Sequence, residues 1–167
     1  MRPALLLDVD GVLCPFGGDC PEGYARHEFG DGEWVYAARA NGVRLSRLRK
    51  TFDLIWCTAW EHRANERLLD LHDLANPLPV IEFPHAEVFT KPEPRHRGHW
   101  KLPWIDDWAG YRPFVWFDDE IDADTTNWAD RRSLTAATLA LQIPFQTGLC
   151  DDHVAIAEEW WESSRQL

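Results

Sequence analysis

Residues 5–15, LLLDVDGVLCP, decide the fold: an apolar run ends on two aspartates set two positions apart, and a glycine follows at once. The wider run 4–9, ALLLDV, is continuously apolar with a β-branched end, as expected of a central strand covered on both faces. Asp8 and Asp10 stand at i and i+2, so in an extended backbone both side chains project to one side, one further out than the other. Gly11 then lets the chain turn away sharply. Carboxylates gathered this closely repel each other unless a cation or a shared proton compensates, and hard oxygen ligands point to Mg²⁺. One carboxylate can then be nucleophile and metal ligand while the second handles protons for the leaving group.

Outward from this stretch, strand and helix patterns alternate. Residues 14–34 are glycine-rich, with apolar flanks around GDG at 30–32, and predict an irregular loop followed by a hairpin. Val43, Leu45 and Leu48 predict an amphipathic helix over 41–50, and FDLIWCT at 52–58 a second buried strand ending on Thr58. Leu68, Leu71, Leu74 and Ala75 predict a helix over 61–75 that Pro77 stops, and PVIEF at 79–83 a third strand. The run 84–98 is rich in Pro, His and Arg without periodicity and reads as a surface loop. Pro103 opens a short helix to about Gly110, and RPFVWFDD at 112–119 is a buried strand ending again on paired aspartates, Asp118 and Asp119. A helix over 122–132, a strand over 138–143 and a helix over 151–164, capped by Asp151 or Asp152, complete the order. This alternation predicts an α/β, doubly wound, mainly parallel Rossmann-like sheet. At 167 residues it forms one domain, in which 14–40 is a small hairpin flap rather than a unit of its own.

Seventeen Lys and Arg against 28 Asp and Glu leave a formal charge of -11, which argues against long nucleic acid as a default partner. A carboxylate-rich site still accepts a phosphorylated substrate when a divalent cation bridges the negative groups, so a nucleotide or a terminal phosphate stays open. Cys14, Cys20, Cys57 and Cys150 form no CxxC pair or zinc spacing and read as reduced thiols of a cytoplasmic protein. No run approaches the ~20 apolar residues of a membrane span.

DVDGVL (8–13 with its strand), IWCT (55–58), a lysine ahead of an apolar strand, and VWFDDE (115–120) resemble, in order, the four motifs of the haloacid-dehalogenase-like (HAD) superfamily of phosphotransferases. The resemblance implies that Asp8 is the nucleophile forming an aspartyl-phosphate and that Asp10 is general acid, then base, with its backbone carbonyl on Mg²⁺. It further implies that Thr58 hydrogen-bonds the transferring phosphoryl group, that Lys101 or the earlier Lys91 contacts the phosphate, and that Asp118 and Asp119 complete the metal site. Position favours Lys101, which opens the helix before the DD strand. Asp122 reads either as an outer metal ligand or as a helix N-cap. Within the resembling family, an acid at the position of Asp10 belongs to the phosphoryl-transfer branch and not to the dehalogenases. The implied reaction is Mg²⁺-dependent phosphomonoester hydrolysis. A non-catalytic phospho-binding module of the same fold and a phosphotransferase or mutase are the alternatives.

Neither the interval after the first motif nor that after the second has room for a large cap. In the resembling family such members act on large substrates or complete their site by association, here as a homo-oligomer. Nucleic-acid ends, phosphoproteins, and small sugar or nucleoside phosphates covered by the flap therefore remain as substrates. Trp60 and Trp34 are the tryptophans expected to approach the site, whereas Trp56 and Trp116 fall in buried runs. His85, His96 and His99 read as part of a polar loop, because no carboxylate or cysteine completes a ligand set with them.

Overall fold

The computed structural model describes residues 1–84 and 98–165. Four parallel strands form the central sheet in the order β4-β1-β5-β6, with β1 spanning Ala4–Leu7, β4 Asp53–Trp56, β5 Phe114–Asp118 and β6 Thr138–Gln142. The first strand lies inside the sheet because its neighbours supply a ladder on both edges: Leu7 pairs with Trp56 on one side and with Phe117 on the other. Alternation along β1 then divides the core. Leu5 and Leu7 face one apolar cluster with Leu45, Leu48, Val154 and Ala157, while Ala4 and Leu6 face another with Ile105, Trp116 and Trp128. The helices that cover these faces are α1 (Arg39–Leu48) and α5 (Asp151–Ser164) on the first, and α3 (Leu102–Ala109) and α4 (Ala123–Ser133) on the second. This is the α/β, doubly wound, Rossmann-like architecture that the sequence predicts.

The expected flap is also present. Strands β2 (Ala25–Glu28) and β3 (Trp34–Ala37) pair antiparallel in a separate two-stranded sheet. Val35 and Ala37 point to the core and are buried, whereas Trp34 and Tyr36 alternate to the other face. Helix α2 (His62–Leu68) anchors the hairpin through ion pairs of Arg63 with Glu33 and Arg67 with Asp31.

Three expectations need correction. The strand predicted over 79–83 is reduced to a single parallel bridge between Trp56 and Val80, with Ile81 donating to the Trp56 carbonyl at 2.9 Å. Pro79 and Pro84 lack backbone N–H groups, which shortens any ladder there. The helix predicted over 61–75 ends at Leu68 and continues as a 3₁₀ turn over Asp70–His72, because Asp73 takes a left-handed conformation (φ 52°) and closes the turn. The last helix is capped by Cys150 rather than by Asp151 or Asp152; the Cys150 N–H donates to His153 Nδ1 at 3.1 Å. Of the loop expected over 84–98, residues 85–97 lie outside the described residues, and Lys91, His85 and His96 lie with them. No helix among the described residues is long and apolar enough to cross a membrane.

Candidate active site

The chain passes from β1 to β4 on one side and then to β5 on the other, so the carboxyl ends of β1 and β5 flank a topological switch point. Asp8 follows β1 immediately and Asp118 closes β5, which brings two carboxylates together at the top of the sheet. Ligand oxygens of Asp8, Asp118 and Asp119 lie within 4.8 Å of one another. Lys101, at the N-cap of α3, reaches into this cluster. Its buried ammonium donates to Asp8 Oδ2 at 2.6 Å, to Asp118 Oδ2 at 2.8 Å and to the Cys57 carbonyl at 3.0 Å.

Burial governs the electrostatics. It drives the Asp8 carboxyl up to about 7; Lys101 opposes this rise and Asp118 adds to it. Asp119, half-buried beside Asp118, is raised to about 6 for the same reasons. Burial would also raise Asp118, but contacts with His99 and Lys101 outweigh it and hold that group well below the usual carboxylate range. Burial alone would lower Lys101, yet Asp8 and Asp118 more than reverse this and keep the ammonium charged. One cation thus faces three carboxylates, a donor set of hard oxygens that fits a divalent metal ion. Cys14 supplies no competing nucleophile: burial, with Asp10 and Asp8 nearby, pushes its thiol far up.

The turn after β1 sets the remaining geometry. The Val9 N–H donates to Asp8 Oδ1 at 2.7 Å and fixes the carboxylate. Gly11 has φ 71°, and a Cβ there would lie 2.5 Å from Asp119 Cγ, so the glycine is what lets Asp119 close over the loop. Asp10 stands outside the three-carboxylate cluster; its Oδ2 accepts from Trp60 Nε1 at 2.9 Å. Trp60 approaches the site as expected. Thr58 is buried beyond β4, and its hydroxyl accepts from the Trp60 N–H at 3.3 Å. Asp8, Asp10, Lys101 and Asp119 line one pocket of about 170 Å³, rimmed by Phe16, Ala59, Trp100 and Glu120.

Asp122 is the N-cap of α4: its Oδ1 accepts from the Thr125 N–H at 2.7 Å and from the Thr125 hydroxyl at 2.6 Å. It acts at a distance, because the same Thr125 oxygen accepts from the His99 N–H at 2.9 Å. His99 is the residue the sequence reading misplaced. It is buried and not part of a solvated loop, with Nε2 3.2 Å from Asp118 Oδ1 and 3.4 Å from Glu120 Oε2. The Lys101 N–H donates to its Nδ1 at 3.1 Å, which puts the ring proton on Nε2, facing the carboxylates. Ligand atoms of His99, Asp118 and Glu120 also cluster within 4.8 Å of one another, but with its proton on Nε2 the ring donates toward these carboxylates instead of ligating a metal ion. The available signal was the spacing, two residues ahead of Lys101; the missing carboxylates come from a strand remote in sequence.

The family described as the HAD domain in Swiss Army Knife RNA repair proteins matches residues 4–154. The chain belongs to this family. It is therefore a HAD-type hydrolase domain, and the four motif regions fall within the matched span. No curated protein matches the chain.

Proposed function

We propose that this HAD domain is a Mg²⁺-dependent phosphomonoester hydrolase that works through an aspartyl-phosphate on Asp8, and that the phosphate it removes ends an RNA strand. The observation that carries the reading is the convergence of Asp8, Asp118, Asp119 and Lys101 on adjacent strand ends, with Asp10 held apart from them. Asp8, Asp118, Asp119 and the Asp10 backbone carbonyl would hold Mg²⁺, which neutralises the phosphoryl oxygens against these carboxylates. An Asp8 carboxylate oxygen bonds to phosphorus as the bond from phosphorus to the ester oxygen breaks. Asp10, as the carboxylic acid, gives its proton to that leaving oxygen, and as the carboxylate then takes a proton from the water that releases inorganic phosphate and restores Asp8. The Trp60 N–H holds Asp10 Oδ2 and leaves Oδ1 for the proton. Lys101 balances charge on Asp8 and on the incoming phosphate.

The RNA end as substrate draws on the family's description and on the pocket's setting, beside which the described residues place a small hairpin flap and no larger cap. A chain of formal charge -11 gains little from a long phosphate backbone, so contact is confined to the terminus. Short RNA strands phosphorylated at the 5′ or the 3′ end, incubated with Mg²⁺ or with EDTA, test this. The expected outcome is metal-dependent phosphate release from one of the two ends. Turnover of small phosphate esters with both RNA ends untouched overturns the substrate, and no turnover of any ester overturns the hydrolase.

A further inference from the structure

Large aromatic side chains are left exposed beside the site. Trp34 is 43% and Phe16 46% accessible; neither belongs to the core clusters, and Phe16 stacks on Phe145 at 5.1 Å between centroids. Trp34 and Phe16 line a cleft of about 270 Å³, together with Asp10, Cys14, Pro15 and Tyr36. Phe16 also rims the catalytic pocket, and Asp10 lines both, so cleft and pocket adjoin at this carboxylate. Trp34 also lines a second cleft of about 380 Å³ with Phe29, Trp60 and Arg63, and Asp10 lines this one too. One indole of the flap thus lines two clefts that share the Asp10 carboxylate.

The indole is braced. Arg26, ion-paired with Glu28 at 3.0 Å, lies over the ring at 4.5 Å, and Tyr36 meets it edge-on at 5.1 Å between centroids. A guanidinium on one face and a tyrosine at the edge hold the ring in place while much of its surface stays open to a ligand. The first cleft is slightly below the roughly 300 Å³ at which small-molecule pockets begin, so it admits one ring system and not an extended chain. Its lining is aromatic and sulfur-bearing, with the one carboxylate of Asp10 at the phosphate end.

We propose that Trp34, in the cleft it shares with Phe16, is a base-stacking subsite for the nucleoside that carries the scissile phosphate. The inference rests on the phosphohydrolase reading and adds the feature the substrate must present, a flat aromatic base attached through its sugar to the phosphate. Every nucleobase offers a π face, so the site selects nucleoside phosphates over simple sugar phosphates without choosing among bases. It also supplies what the net charge withholds, since stacking holds a strand end without a basic groove.

The test measures binding in an Asp8→Asn background, where the nucleophile is absent, using adenosine 5′- and 3′-monophosphates against ribose 5-phosphate. With Trp34 present, at least one nucleotide should bind more tightly than the sugar phosphate, and Trp34→Ala should erase roughly 5- to 150-fold of that advantage. Trp34→Phe should restore it and Trp34→Leu should not. No advantage with Trp34 present, an advantage that survives Trp34→Ala, equal loss for all ligands, or restoration by Leu would each overturn the subsite. Hydrolysis of the same ligands by the wild-type protein separates the two claims. Turnover without base preference leaves the hydrolase standing and removes the subsite, whereas Trp34-dependent binding with no turnover of these ligands or of either phosphorylated RNA end does the reverse.

Discussion

His72 offers a stability measurement whose size follows from its surroundings. The ring is fully buried in the 3₁₀ turn after α2, and among the described residues neither ring nitrogen has a hydrogen-bond partner. Helix α1 presses on this turn, where a Cβ on Gly42 would lie 2.8 Å from the His72 carbonyl oxygen, so the turn has little room to open and hydrate the ring. Burial therefore lowers His72 to about 4 from its ordinary 6.5; Asp73 opposes the change and His27 adds to it. The folded value is depressed, so the unfolded chain takes up the proton first. The histidine costs nothing above about pH 6.5, and stability falls as the pH drops from there toward 4. At 1.36 kcal/mol per pH unit the full loss is about 3 kcal/mol, of which about 2.5 kcal/mol is reached at pH 4.5. Urea unfolding of wild type and His72→Leu at pH 7.5 and 4.5 isolates this part, because the carboxylates titrate alike in both. The stability lost between the two pH values should be smaller by about 2.5 kcal/mol in the variant. Equal losses would refute the reasoning, and would mean that the buried ring finds a proton acceptor on acidification.

Two further outcomes follow from the site. Gly11→Ala places a methyl group 2.5 Å from Asp119 Cγ in a left-handed backbone, so it should displace Asp119 and lower turnover by about 10²-fold with Asp8 intact; hydrolysis rates against Mg²⁺ concentration check this. Lys101→Met leaves the buried Asp8 and Asp118 without their shared cation, and should cost about 3–5 kcal/mol in urea unfolding of the metal-free protein at neutral pH, with addition of Mg²⁺ recovering part of it.

Much of this fold could be read from short segments, because the deciding patterns are local. ALLL before Asp8 and FVWF before Asp118 are buried on both faces, and such runs read the same in isolation as in the sheet. The hairpin was legible from GDG and its apolar flanks, and Trp60 from its place two residues after Thr58. What escaped depends on partners far along the chain. Residues 79–83 have strand composition, but Pro79 at their start and Pro84 just beyond them decide how many bonds the edge can form. His99 sits in a polar, aperiodic stretch, and only the approach of β5 and α4 turns it into a buried partner of Asp118. Asp122 divides differently: its capping role is local and was visible, while its support of His99 through Thr125 is tertiary.

The central claim is covalent catalysis by Asp8, and trapping tests it most directly. Acid quenching during turnover of a phosphorylated RNA end, followed by peptide mass spectrometry, should find one phosphoryl group on the peptide containing Asp8, labile to base and absent from Asp8→Asn. Turnover that persists in Asp8→Asn, or a phosphoryl group on any other residue, would contradict the account.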